Sequence, residues 1–328
     1  SSQREPERDS AFASSSQRET ERARERDRAF ASSSQREPER DRESQRARES
    51  QRETAHSLVR ASESGSVDVH SGVTSVDVHS SQARNVVPNS LVFSTSPVIK
   101  SQIYIDDFGN IARRFIAPSG TLRLSFEGQY TADGTLDRRD GKARVIDVGQ
   151  LPPDCLQYLA PSRFCESDLM GQLAWDIFGH LPRDTALIEA ICDYAHRRLR
   201  FDYKEARGTR TACEAHAEQV GVCRDFAHLA VTLCRALNIP ARYANGYMGD
   251  IGVPADPAPM DFNAWFDVYL EGGWYTFDAR HNRRRIGRIP IAYGRDAADV
   301  PMLRTFGAHT LTKFEVTTEL AEPSKVAA

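Results

Sequence analysis

The sequence predicts an α+β protein in which a cysteine-bearing helix packs on an antiparallel sheet, preceded by a small β-rich unit. Three observations predict it. Residues 89–150 break into short runs rich in β-branched and aromatic residues, with turn signals between them. From about residue 167 the apolar residues take up the three-and-four spacing of helices. Beyond Pro240 the runs ARYANGYM, FNAWFDVYL and WYTFDA return to strand character.

Taken in order, residues 1–85 read as a disordered low-complexity tail. AFASSSQRE occurs at Ala11 and Ala29, and SVDVHS at Ser66 and Ser75. Arg alternates with Glu and Asp, with Ser and Gln between them. Such a composition buries too little apolar surface to offset roughly 1–2 kcal/mol of backbone entropy per residue. The expectation is a solvated tail or an upstream extension that is not normally translated. The folded chain is expected from Asn89. LVFST, SQIYIDD, IARRFIAP, TLRLSFEGQY and ARVIDVG are its first strands, cut by turns at 108–110, 118–120 and 132–142.

The helices follow. Leu169, Leu173, Trp175, Ile177 and Phe178 mark one over 167–178. A second opens at Asp184, a good N-cap, with Leu187, Ile188, Ile191, Tyr194, Ala195 and Leu199 on one stripe. A third starts after Gly221 and carries Phe226, Leu229, Ala230, Leu233, Cys234 and Leu237. It stops at Asn238-Ile239-Pro240, where proline cannot continue it.

Composition narrows the function classes. The net charge is -3 and the pI is near 6.3, which call for neither a nucleic-acid nor a membrane partner. No apolar run is long enough to cross a bilayer. The six cysteines form no C-x-x-C pair, and a chain of this size needs no disulfide staples, so a reducing cytoplasm is the expected setting. No cofactor is called for. The Cys213/His216 and Cys223/His228 spacings do not match paired zinc ligands, so no metal is expected.

Cys223 stands apart from the other cysteines. Cys234 lies on the apolar stripe of its helix and reads as a core residue, whereas Cys223 lies off that stripe at the helix start. Free backbone N–H groups and the helix dipole favour an anion there. The expectation is a thiol pKa lowered below about 7.5, with more of the nucleophilic thiolate present. Arg224 adds positive charge and Asp225 opposes it. Gly221 allows close approach just before the thiol.

Three segments in order, GVCRDFAHLAVTLCRALNIPARY, DFNAWFDVYL and GGWYTFDARHN, resemble the bacterial transglutaminase-like superfamily of papain-like cysteine enzymes. The resemblance runs from about Ile103 to Phe306. DDFGN and RRFIAP resemble the β-rich region that often precedes this domain. The resemblance implies a papain/transglutaminase-like core over 151–318 behind a β-rich N-terminal unit over 89–150. It implies Cys223 as nucleophile and Asp278 as catalytic carboxylate. It also implies a cysteine-dependent amide or peptide hydrolase or acyl transferase, working through a thioester on a peptide or protein amide substrate.

One position departs from the pattern. The superfamily's middle strand carries a histidine where this sequence has Asn263, and Asn cannot take a proton at neutral pH. A two-residue turn at Gly272-Gly273 would set residue 268 opposite 277 and place Asn263, Trp265, Asp267 and Asp278 on one face. Of the histidines, His228 is about 140° round the helix from Cys223 and points away. His216 reads as a loop residue before the helix. His281 reaches the site only if the chain turns after Ala279. Without a base the rate would fall by about 10²–10⁴, and the alternative is a catalytically silent binding module. The run HNRRRIGR reads as a solvated loop, and residues 249–259 as a wall of the cleft. Trp265, Trp274 and Tyr275 read as hairpin packing, with Trp265 able to line the site.

Overall fold

The computed structural model describes residues 57–69, 72–80, 86–257 and 260–321. Of the expected tail over residues 1–85, residues 1–56, 70–71 and 81–85 lie outside the described residues. The strands β1 (Ser57–Val69), β2 (Gly72–Ser80), β3 (Val92–Ser96), β4 (Ser101–Ile105), β5 (Asn110–Ala117) and β6 (Gly120–Ala132) come first. The helices α1 (Gly171–Phe178), α2 (Thr185–Arg198), α3 (Ala212–Glu218) and α4 (Cys223–Ala236) follow, with the short parallel pair β7 (Arg200–Phe201) and β8 (Val220–Gly221). The chain ends in β9 (Ala241–Tyr247), β10 (Asn263–Leu270), β11 (Gly273–Phe277), β12 (Ile289–Gly294), β13 (Leu303–Phe306) and β14 (His309–Ala321).

The central sheet has the order β11-β10-β9-β12, and α4 packs on it. The stripes of α2 and α4 are buried as expected, against Phe266, Val268, Leu270, Tyr275, Phe277 and Ala279 of the β10–β11 hairpin. Burying a Leu, Ile or Phe side chain is worth about 1.5–3 kcal/mol, so this interface anchors both helices. Asp184 caps α2 by accepting from Ala186 N at 2.9 Å. Helix α4 ends at Asn238, whose φ of 58° is the left-handed conformation that closes helices. The first expected helix is shorter than 167–178, because residues 167–169 form a turn before it.

The β-rich unit differs from expectation in its limits. Strands β1 and β2, inside the expected tail, are paired throughout: β1 lies between β14 and β6, and β2 between β13 and β5. Val59, Ala61 and Val67 are buried. The inward placing of Val59, Ala61 and Val67 on one face of β1 outweighs the charged and small residues around them. Strands from 57–80 and from 303–321 therefore both build this unit, in two four-stranded sheets ordered β14-β1-β6-β3 and β13-β2-β5-β4. The expected strand ARVIDVG is instead one bridge, Arg144 to Asp184, and a 3-10 turn at Val148–Gln150.

Asn110, from DDFGN, docks the unit on the core. It is fully buried, accepts from Tyr293 N at 2.9 Å and donates to Tyr293 O at 2.8 Å. A side-chain amide there pairs both backbone groups of a β12 residue, as a neighbouring strand would.

Candidate active site

Cys223 is the first residue of α4, as expected. The turn that presents it is held by Asp225, which is buried and accepts from Val222 N at 2.9 Å. Arg210, also buried, donates to the same carboxyl at 3.2 Å. Gly221 is required here for a reason the sequence did not show. A Cβ at residue 221 would lie 2.6 Å from the Asp225 Cβ and 2.8 Å from its Oδ2. The close approach is that of the capping side chain.

The Cys223 sulfur is half-buried and lies across the backbone of β10. It donates to Phe262 O at 3.8 Å, and the Ala264 N–H points towards it. Residues 262 and 264 flank Asn263, so the sulfur meets the middle strand where the resemblance places it. The expected lowered pKa is not found. Burial pushes the thiol from its ordinary 9.0 up to about 11, the Asp261 and Asp278 carboxylates push the same way, and the Ala264 and Arg224 N–H groups offset this in part. Arg224 turns its guanidinium to Arg207 O and Asp225 instead of towards the sulfur. The free N–H groups of the helix start are present, but the surrounding hydrocarbon and carboxylates outweigh them.

Asp278 follows β11 and is buried. Burial alone would raise its pKa. The Arg288 guanidinium and the His281 contacts outweigh burial and hold it well below the usual carboxylate range. His281 N donates to Oδ1 at 2.9 Å, and His281 Nδ1 contacts Oδ2 at 3.1 Å. The chain does turn after Ala279: Asn282 N bonds Asp278 O at 2.8 Å, which swings the His281 ring back onto the carboxylate. Asn263 is half-buried and donates to Asp261 O at 3.3 Å.

The hairpin register is corrected by one turn position. Leu270 pairs with Gly273, so Glu271 and Gly272 form the turn and Phe266 faces Phe277. Each expected pairing moves by two residues. A shift of two preserves the faces, so Asn263, Trp265 and Asp278 still share one side of the sheet. Trp265 does not line an open cleft; it is buried, and the Arg288 guanidinium lies 4.9 Å above its ring.

The basic run 281–288 is the clearest miss, because it is a clamp and not a solvated loop. Arg288 is buried, donating to Asp278 Oδ2 at 2.8 Å and to Asp137 at 3.0 and 3.1 Å. Arg285 N and Arg284 Nε also bond Asp137, at 2.9 and 2.7 Å. Asp137 gave no local signal of this role, since its partners lie about 150 residues away in sequence. Among the other histidines, His228 is buried, stacks on Phe164 and accepts from Ala297 N at 3.1 Å. His216 lies inside α3, not in a loop; it contacts Tyr194 Oη at 2.7 Å, and burial lowers its pKa to about 4. Of the expected wall 249–259, residues 258 and 259 lie outside the described residues.

A cysteine that opens a buried helix, set across a hairpin whose second strand leads into a buried carboxylate, defines the class: a papain-like thiol fold. Residues 171–279 match the model of the Transglutaminase-like superfamily. Across 83% of this chain it is similar to the solved structure of a candidate cysteine protease from Cytophaga hutchinsonii, at 28% identity and a TM-score of 0.70, covering 93% of that chain. It is 31% identical over 104 residues to an uncharacterized protein of Mycobacterium leprae, and 28% identical over 224 residues to one of Mycobacterium bovis. These matches span 37% of the first relative's length and 69% of the second's, and 30% and 61% of this chain. Among the described residues no helix is long and apolar enough to cross a membrane.

Proposed function

We propose that the protein is a cysteine-dependent amide or peptide hydrolase or acyl transferase, acting through a thioester at Cys223. The observation that carries this reading is the sulfur seated against the backbone of residues 262 and 264, with Asp278, just after β11, holding His281 by Nδ1. With Nδ1 donating to the carboxylate, Nε2 is left to accept a proton. The neutral thiol gives up its proton during attack, as a serine hydroxyl does. The new S–C bond forms as the amide C–N bond breaks, and the departing amine takes the proton. Water then releases the acid, or a second amine takes the acyl group. Backbone N–H groups at the start of α4 hold the oxyanion. Turnover of fluorogenic peptide amides tests this. Activity should vanish in Cys223→Ala and fall about 10²–10⁴-fold in His281→Ala. Equal turnover in both variants and the parent would end the proposal.

A second reading, a silent peptide-binding module, draws on the raised thiol pKa and on Asn263. It expects an inert parent and an Asn263→His variant that gains turnover. A parent that turns over peptide amides through Cys223 rules it out.

A further inference from the structure

Beside the candidate site, the sheet containing β1 leaves an open cavity of about 360 Å³. Its floor follows from strand register. Gly65 on β1 pairs with Leu124 on β6 and with Phe314 on β14. Paired residues project to one face, so a row of two large apolar side chains is interrupted in the middle by a residue with none. A Cβ at Gly65 would lie 3.8 Å from the Phe314 ring, so the depression runs along that ring. Phe262 and Met302 also line the cavity. The Phe262 ring centroid is 5.5 Å from that of Phe314, and the Phe262 carbonyl accepts the S–H of Cys223. One residue thus serves both the cavity wall and the surroundings of the thiol. The other notable group is Glu63, two residues from Gly65 on the same face. Its carboxyl is buried at the cavity wall, and the Tyr247 hydroxyl is the polar group that offsets part of that burial.

We infer that this cavity is a specificity pocket for a large apolar side chain of the peptide whose amide Cys223 attacks. The inference rests on the acyl-transfer reading above and adds the substrate class. The volume is at the small end of ligand pockets, which span about 300–1,000 Å³, and suits one such side chain with its flanking amide. Burial pushes the Glu63 carboxyl up to about 8, so it is neutral near pH 7. A neutral carboxyl can donate to an amide carbonyl and accept from an amide N–H. An apolar ring placed beside it strips water from no charge.

The test uses binding to the full-length Cys223→Ala protein, so that it does not depend on turnover. The probes are fluorescein-labelled penta-alanine amides in which a single Phe is stepped through the five positions. One position should bind roughly 10-fold or more tighter than the all-Ala peptide, as burial of a Phe side chain implies. Leu311 lines the cavity and is 56% exposed, so Leu311→Arg should fold normally and erase that preference. An equal affinity for all the peptides, or a preference untouched by Leu311→Arg, overturns the pocket. Labelling of Cys223 in the parent protein by a Phe-containing peptide p-nitrophenyl ester reads the other claim. Labelling without a Phe preference keeps the nucleophile and loses the pocket. A Phe preference without labelling refutes the acyl-donor role of the pocket while leaving it a peptide site.

Discussion

At Cys223 two influences oppose each other, and their sum decides how the thiol works. The helix start favours a thiolate, whereas burial and two carboxylates disfavour it, and the thiol rests neutral with a pKa of about 11. Its alkylation rate by iodoacetamide should therefore climb with pH up to about 11, and Asn263→His should move that climb to lower pH. A plateau near pH 7 in the parent would contradict the opposition argued here. Asp278 carries the opposite shift. Its pKa is lowered in the fold, so the stability it contributes is present above the unfolded carboxylate value of about 4 and is lost as pH falls. Asp278→Asn leaves Arg288 buried with half its partners and should cost about 3–5 kcal/mol in urea unfolding at pH 7. The variant should also lose less stability than the parent between pH 5 and 3. The position of Cys223 at a helix start was legible in the sequence because an off-stripe cysteine after Gly221 is a local signal. Its pKa was not, because the burial that chiefly raises it and the two carboxylates that add to it come from segments distant in sequence.

The element scale explains why the nucleophile sits where it does. The first turn of α4 closes only if Asp225 can reach Val222 N, and Gly221 leaves the room for it. Gly221→Ala should cost about 1–3 kcal/mol through overpacking, read as a lower denaturant midpoint with an unchanged slope. No loss would mean that the Asp225 cap relaxes freely. The stripes of α2 and α4 and the face pattern of the hairpin were legible, because burial imposes a period that a single sequence displays. The hairpin turn was misplaced by one position, since two adjacent glycines each favour a turn and local pattern cannot choose between them. Thr211 and Glu214 form a capping box that sets His216 inside α3, a signal the T-x-x-E spacing carries in the sequence.

For the whole molecule, β1 and β2 pair with β14 and β13 to close one β unit against the core. Val59, Ala61 and Val67 are buried between strands that arrive about 60 and 250 residues later. Composition hid β1 and β2, because their Ser, Asp and Glu residues resemble those of the preceding repeats. A chain truncated to begin at Asn89 would expose the edges of β6, β14, β5 and β13 and is expected to aggregate or express insolubly, as size-exclusion chromatography would show. A soluble, cooperatively folding truncation would contradict this architecture. Asn110→Ala should remove two hydrogen bonds to the Tyr293 backbone, at about 1–3 kcal/mol for each group, read as a lower denaturant midpoint.

The central claim is that these parts converge on one nucleophilic sulfur. Acid-quenched intact-mass analysis of the protein mixed with a peptide p-nitrophenyl ester tests it most directly. The expected result is a single acyl adduct that maps to Cys223, is absent in Cys223→Ala and accumulates far more slowly in His281→Ala. An adduct spread over the other cysteines, or none on Cys223 while the ester is consumed, would contradict the account.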